Sequence, residues 1–478
     1  MKTIQFEYGP GFMAAQLPDS ADVFIPGETV KDPEALVDPI SATRDSILNP
    51  IGMPPISEQV KQGSKVAIVF PDRVKGGCHD TAHRRISIPI ILEECRKAGV
   101  EKKDISLICS NGLHRKNTEK ELREILGDEV FNAFYWEGQV VNHDSEDWDN
   151  LVDLGRNEHG DKVVMNKTVF EADLAVMIGH TLGNPYGGYS GGYKHCATGI
   201  TNWECIASHH IPRVMHRDDF TPVSSKSLMR QKFDQIGKHM ELRMGKKFFT
   251  CDAVLNTFSQ QLSVYTGGCE DIQPFCFADA DKRTYANWAE KKYDIMVFGM
   301  PQNFHYGNGH GTNPVLMMQA IGAQIIRHKR VMSDNCVVIC SSLCNGYFHD
   351  EEFPSYRKLF ELFQTDYCNT LVDINKHIEY IARDEEMIKQ YRFNYGYHPF
   401  HGFSMTSCGH IAEMNTKAVY IVGAQEPGLA RQMGMKTRAT FEDALADAVR
   451  YTGANPNILA LPQAFTRAAM HLGSKEEL

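Results

Sequence analysis

Four glycines within six residues, Gly187, Gly188, Gly191 and Gly192, are followed at once by Lys194 and then by the pair His209-His210. Glycine lets the backbone take positive φ and press against a bound group. Amide donors from such a loop, one lysine and a downstream imidazole suit an anionic cofactor that carries a metal. The plain alternative is a tight turn beside a solvated lysine. Spacing excludes two familiar phosphate loops here, because neither Gly-x-x-x-x-Gly-Lys-Ser/Thr nor Gly-x-Gly-x-x-Gly is present in this stretch.

The elements around this stretch place further chemistry-bearing residues. Val66–Phe70 is a short apolar run of the kind a buried parallel strand shows. A helix from about Ile86 to Arg96, stopped by Gly99, and a second strand over Ile105–Cys109 complete a right-handed βαβ unit. Such sheets bind ligands beyond the carboxyl ends of their strands. Asp72 and Arg73 lie just past the first strand, and Asn111-Gly112-Leu113-His114-Arg115 just past the second. Thr118 and Glu121 form a capping box that opens the next helix. Residues 162–170 and 173–180 read as two more strands, the latter ending at His180 just before the glycine loop. A loop histidine is commonly a solvated surface residue, so position at the sheet edge is what marks His114 and His180.

A chain of 478 residues exceeds the usual span of one hydrophobic core, roughly 250–300 residues. The reading is an α/β protein of two domains, 1–285 and 286–478. Each is a mostly parallel sheet flanked by helices, with the active site expected in the cleft between them. Residues 1–63, rich in proline, are expected to form a short strand and then an extended arm carrying a helix or two across the first domain. Residues 211–285 read as a polar helical connector. The second domain opens with the strand Tyr293–Phe298 and a polar loop, Pro301–Gly311, followed by a helix from about Pro314 to Ile326. Further strands are expected near Val337–Ile339, at Ala418–Val422 and at Ile458–Pro462, with a helix over Phe441–Tyr451 entered by a Thr440–Asp443 cap. His398–Phe403 reads as a loop with no assignable role.

Composition excludes several function classes. Hydrophobic content of 42% and charged content of 23% are those of a globular protein. A net charge of -10 without a basic run argues against a nucleic-acid surface. The opening residues lack an apolar signal core, and no uninterrupted apolar stretch approaches a membrane span. Thirteen scattered cysteines without Cys-x-x-Cys favour reduced thiols and a cytoplasmic location. Cys336, Cys340 and Cys344 fall across an apolar run, where strand packing is the simpler reading than a metal site.

Ser190-Gly191-Gly192-Tyr193-Lys194, then Gly199-Ile200, Glu204, Ile206 and a histidine at position 210, resembles the lactate racemase family that uses the nickel-pincer nucleotide. The resemblance implies Lys194 as the lysine that can be tied to the cofactor and His210 as the nickel ligand, with His209 one residue away as its rival. Gly112-Leu113-His114-Arg115 resembles the family's Gly-x-His-Arg, whose histidine is a catalytic acid–base. Asp72 matches the aspartate of a nucleotide-holding Asp-x-Thr-Arg-Pro loop, but the chain then departs from that pattern, leaving Arg73, Lys75 and Arg84 as alternative phosphate-binding cations. The position of the family's second catalytic histidine is Asn184, which cannot transfer a proton in ordinary catalysis. His180 is the candidate substitute. Where lactate-converting members grip the substrate with a glutamine and a lysine, this chain has Leu316 and Gln319.

The activity implied is inversion at C2 of a 2-hydroxy acid. In the family a histidine takes the hydroxyl proton while the C2 hydrogen leaves as hydride, giving a keto acid that takes the hydride back on its other face. The substitutions point away from lactate towards a larger polar or sugar acid, with Asn184, Arg115, Gln302, Asn303, His305 and Gln319 as substrate contacts. Asn308 and His310 add to that polar loop. Two alternatives stand beside this reading: a nicotinamide-dependent dehydrogenase, which would lack its dinucleotide fingerprint, and a non-catalytic carrier of the nickel cofactor. The expected partner is a small-molecule acid. The oligomeric state is left open, a homodimer being one option.

Overall fold

The computed structural model describes residues 1–215, 223–366, 374–406, 408, 410–467 and 471–475. It divides into two compact units. One comprises Pro33–Arg283 and Asp384–Phe400, the other Met1–Asp32, Thr284–Arg383 and His401–Leu478. The chain thus passes between units four times, where the sequence reading has one boundary at 285.

The first unit is built on a six-stranded sheet in the order Gln261–Gly268, Phe249–Leu255, Leu174–Thr181, Val66–Phe70, Ile105–Cys109 and Val140–Asn142. All neighbours are parallel except the pair Phe249–Leu255 and Gln261–Gly268. Both faces are covered, which is why these strands read as continuous apolar runs. Ile68, Phe70, Leu107, Val176 and Ile178 pack on the side of the helix His83–Lys97. Ala67, Val69, Ile108, Ala175 and Met177 pack on the other side, under the helices Tyr193–Gly199 and Leu228–Met244. Strand order reverses between Val66–Phe70 and Leu174–Thr181, so their carboxyl ends frame the crevice where α/β sheets bind ligands.

The second unit is an eight-stranded sheet with the run Lys436–Arg438, Ala418–Val422, Met332–Ser341, Tyr293–Pro301, Lys2–Gly9, Gly11–Leu17. Ile458–Leu461 also pairs with Tyr293–Pro301, and Asp22–Val23 pairs with Ile458–Leu461. The helix Pro314–His328 follows its first core strand, with Asn313 capping Val315 N and Leu316 N.

Several expectations are corrected. The first 32 residues are no arm: Lys2–Gly9 and Gly11–Leu17 form a hairpin joined to Tyr293–Pro301 through Tyr8↔Met300 and Gly9↔Pro301. The helices Pro39–Leu48 and Ile56–Gln59 do belong to the first unit, as expected. The supposed connector 211–285 instead supplies two sheet strands as well as the helices Leu228–Met244 and Cys269–Thr284. Its polar look comes from charged residues such as Arg230, Lys232, Lys238 and Arg243 on the helix Leu228–Met244. The strand expected over 162–170 stops at Asn166, whose side chain caps a helix over Lys167–Glu171. Residues from Pro399 to Thr406 are helical rather than a loop.

Candidate active site

At the reversal point, Asp72 follows the strand Val66–Phe70 and is buried. Its Oδ2 accepts a hydrogen bond from His114 Nδ1 at 2.6 Å. With Nδ1 carrying the hydrogen, Nε2 is the acceptor nitrogen, the form a general base requires. Burial pushes the Asp72 pKa up, but His114 and then the Lys75 and Arg73 charges outweigh it and hold it at about 2. The His114 loop is fixed from two directions. Gly112 N donates to Gly199 O at 3.1 Å, tying it to the lysine helix. Tyr391 Oη donates to Gly112 O at 2.9 Å, and His398 N to Leu113 O at 3.0 Å. Tyr397 places its ring 5.6 Å from that of His114. Residues 384–400 are therefore a buttress that lies nearly 280 positions from the loop it supports, too far for any local pattern to reveal.

The three alternative cations separate cleanly. Arg84 is buried, donating from Nη1 to the carbonyls of Pro71 and Asp72 and from Nη2 to that of Gly77, each at 2.7 Å. It shapes the 71–78 loop. Arg73 pairs with Glu121 at 3.2 Å, and Arg115 pairs with the same carboxylate at 2.6 Å, so the capping-box glutamate holds both. Lys75 is half-buried, and its ammonium has no hydrogen-bond or ion-pair partner among the described residues.

The glycine loop is a short hairpin of Gly183–Asn184 with Gly188–Tyr189. Asn184 Oδ1 accepts from Tyr186 N at 3.0 Å and Gly187 N at 2.6 Å, so this oxygen is committed to the turn. Ser190 Oγ accepts from Leu182 N at 2.9 Å and donates to His180 O at 3.0 Å. Gly191 and Gly192 have φ of 73° and 53°, and the helix carrying Lys194 begins at Tyr193. A Cβ on Gly191 would stand 2.5 Å from Asp252 Oδ2, so only glycine permits this approach.

The Lys194 amine lies 5.7 Å from the Phe233 ring centre and has no hydrogen-bond or carboxylate partner among the described residues. Burial, and then the Lys75 and Arg230 charges, hold its pKa well below the usual lysine range. His180 lines a small pocket with Pro71, Gly76, His83, Arg84 and Leu255. Its pKa is lowered to about 3 by burial first and then by Lys75, His195 and Arg84. Two residues absent from the sequence reading complete the cluster: His195, bonded through Nε2 to Ser110 Oγ, and Asp252 on the strand Phe249–Leu255. His195 follows Lys194 directly, which was a usable signal. Asp252 gave none beyond one acid within an apolar run.

Residues 8–221 match the family model for the lactate racemase N-terminal domain. Lactate racemase from Thermoanaerobacterium thermosaccharolyticum is 26% identical over 44% of this chain and 47% of its own length. Lactate racemase from Lactiplantibacillus plantarum is 27% identical over 34% of this chain and 37% of its own length. By sequence, the likeness is to the lactate racemase N-terminal domain and spans less than half of this chain. The chain spans less than half the length of these two relatives in the matched stretches. The structure of the lactate racemase apoprotein from T. thermosaccharolyticum matches with a TM-score of 0.70 at 18% identity, covering 99% of this chain and 100% of that one. At that identity the likeness establishes a shared fold.

The two candidate metal histidines differ sharply. His209 is fully buried, with Nε2 3.4 Å from Ala197 O. A carbonyl only accepts, so Nε2 of His209 carries the hydrogen and its Nδ1 is the acceptor for His210 Nδ1 at 2.6 Å. That order leaves Nε2 of half-buried His210 as an acceptor atom, the form a metal requires, its ring set by a second imidazole. Among the described residues no three or more His, Cys, Asp or Glu side chains converge as a metal centre.

In the other unit, the loop after Tyr293–Pro301 holds itself together. Gln302 N donates to Gly9 O at 2.9 Å, and Asn303 Oδ1 accepts from Gly309 N at 3.0 Å. His305 adopts positive φ, at 28°. His310 is buried, stacked 3.9 Å from Phe304, and accepts from Tyr306 N at 3.3 Å. Leu316 is fully buried and Gln319 nearly so, both on the helix Pro314–His328.

Proposed function

We propose that this chain is a 2-hydroxy acid racemase or epimerase that works with the nickel-pincer nucleotide and acts on a larger, more polar acid than lactate. The observation that carries the reading is the hydrogen bond from His114 Nδ1 to Asp72 Oδ2, which makes His114 Nε2 a general base at the sheet's ligand-binding edge. The residues present fit the cofactor. Lys75 and Lys194 offer two amines without hydrogen-bond or ion-pair partners among the described residues, beside a glycine cradle, and His210, whose Nδ1 bonds His209, is the metal ligand the resemblance implies. A metal arriving with donors of its own needs only one from the protein. When bound, that group supplies the metal and the hydride acceptor.

The protein's own residues do the rest. His114 takes the substrate's hydroxyl proton at Nε2, and Asp72 stabilises the imidazolium that results. His180 serves the opposite face. Its imidazole is neutral at physiological pH, and an anion bound at Lys75 would remove part of the positive field that makes it a weak base. Lactate itself fits poorly, because Leu316 and Gln319 stand where lactate-converting members carry a glutamine and a lysine. A polyhydroxylated sugar acid is the preferred class. Among the described residues no helix is long and apolar enough to cross a membrane, and the described cysteines are free thiols, which suits a cytoplasmic location.

The test is intact mass with metal analysis on chain produced alongside the cofactor's biosynthetic enzymes. About one nickel per chain is expected, lost in His210→Ala, as one essential ligand requires. Epimerisation of a sugar acid faster than racemisation of lactate is then expected. Absence of both nickel and nucleotide would overturn the cofactor reading, and lactate turnover equal to or above that of any sugar acid would overturn the substrate class.

A further inference from the structure

We propose that Asp252 and His195 are positioning residues that present the Lys194 amine, Asp252 acting as a neutral carboxylic acid through Gly192 and His195 acting through Ser110. The inference rests on Lys194 being the functional lysine and concerns what holds it in place. Asp252 Oδ2 accepts from Gly192 N at 2.7 Å and from Thr181 Oγ1 at 3.0 Å. Its other oxygen, Oδ1, is buried and without a hydrogen-bond partner among the described residues, and the residue is 1% exposed.

On the far side of Lys194, the Ser110 hydroxyl donates to Phe70 O at 3.0 Å. Ser110 Oγ therefore accepts from His195 Nε2, which carries the ring's hydrogen. Nδ1 of His195 is left as a buried acceptor with no hydrogen-bond partner among the described residues. Both orphaned atoms face one glycine. A Cβ on Gly179 would stand 2.6 Å from Asp252 Oδ1 and 3.3 Å from His195 Nδ1.

Two acceptors cannot satisfy each other, and leaving both buried and unpaired costs roughly 1–3 kcal/mol apiece. A proton on Asp252 Oδ1 turns one of them into a donor, and burial raises the Asp252 pKa in that direction. Lys194 is thereby bracketed. Gly192, two residues before it, is tied to the strand Phe249–Leu255, and His195, one residue after it, is tied to the end of Ile105–Cys109.

The amine can be read without the cofactor. Burial holds the Lys194 pKa well below the usual lysine range, so the amine should add to the aldehyde of pyridoxal 5′-phosphate, losing water to form an imine that borohydride reduces to a secondary amine. Peptide mass then gives the labelling rate at Lys194 in the full chain, with thermal unfolding as the fold check. Faster labelling of Lys194 than of surface lysines is expected at neutral pH. Asp252→Ala and Gly179→Ala should slow it about tenfold, the scale of one hydrogen bond. Asp252→Asn, whose amide can donate where the acid does, should stay within about twofold. Labelling of Asp252→Asn as slow as Asp252→Ala would overturn the neutral-acid role. Wild-type rates in folded Asp252→Ala and Gly179→Ala would overturn positioning altogether. Wild-type Lys194 no faster than surface lysines would overturn the functional lysine as well, a result distinct from the other two.

Discussion

His114 lies just past, and His180 near the carboxyl end of, strands that flank the same central strand, Val66–Phe70, yet their surroundings are opposite in sign. His114 bonds an anion, Asp72, at 2.6 Å. His180 shares its pocket with Arg84 and His83 and feels Lys75 and His195. One imidazole is bonded to an anion, and the other is buried among cations. On the proposed reading a base is needed on each face of the inverted carbon, and this pair differs until something neutralises the cations beside His180. A bound anion is the natural agent, so substrate or cofactor charge would complete the second base.

The comparison breaks first at His114. His114→Ala should lower turnover about 10²–10⁴-fold, the usual contribution of a general base, while nickel content stays unchanged. Unchanged turnover would leave the chain a cofactor carrier. Asp72→Asn should cost less, roughly 10- to 100-fold in kcat, because it removes a charge-assisted bond to the imidazolium but leaves the base in place. An equal loss in the two variants would mean that Asp72 also holds the cofactor. Lys75→Met sharpens the other side. Removing that charge should raise the His180 pKa above its value of about 3, although burial, the larger cause, keeps it below the ordinary histidine value of about 6.5. An imidazole NMR titration reads this directly, and an unmoved His180 would show that Lys75 does not separate the two histidines.

Much of the sheet was legible because its strands are buried on both faces. Val66–Phe70, Ile105–Cys109 and Ala418–Val422 occur where their unbroken apolar runs place them. The Thr118–Glu121 box and the Thr440 cap were equally local and equally legible. What was missed depends on partners distant in sequence. The hairpin Lys2–Leu17 pairs with a strand near residue 300, and residues 384–400 support a loop near residue 112. Phe249–Leu255 was hidden by Asp252, an acid that breaks the apolar pattern because it holds Gly192. The site showed the same division. Motif positions were visible in the chain, but only contacts could separate Arg84 and Arg73, which hold loops and glutamates, from Lys75.

The smallest effect should appear in stability, and its sign follows from the same contrast. His180 and three further histidines, His83, His195 and His209, have pKa values lowered to about 3 or 4, burial being the first cause of each. In the unfolded chain each takes a proton near pH 6.5. Below that pH the unfolded state binds more protons than the folded one, so stability is full above about pH 6.5 and falls as pH drops towards 4. Asp72 acts in the same direction but later. Its pKa of about 2 lies below the unfolded value of about 3.8, so its contribution is lost only as pH falls through that lower window. Thermal unfolding followed from pH 7 to pH 4 should therefore show its midpoint declining from about pH 6, the four histidines outweighing Glu7, whose pKa burial raises to about 7 and which acts in the opposite direction. His180→Asn should soften that decline slightly, and Asp72→Asn should leave the slope between pH 6 and 4 unchanged. A flat midpoint down to pH 4 would mean that these histidines are protonated in the folded chain, and the electrostatic contrast between His114 and His180 would disappear with it.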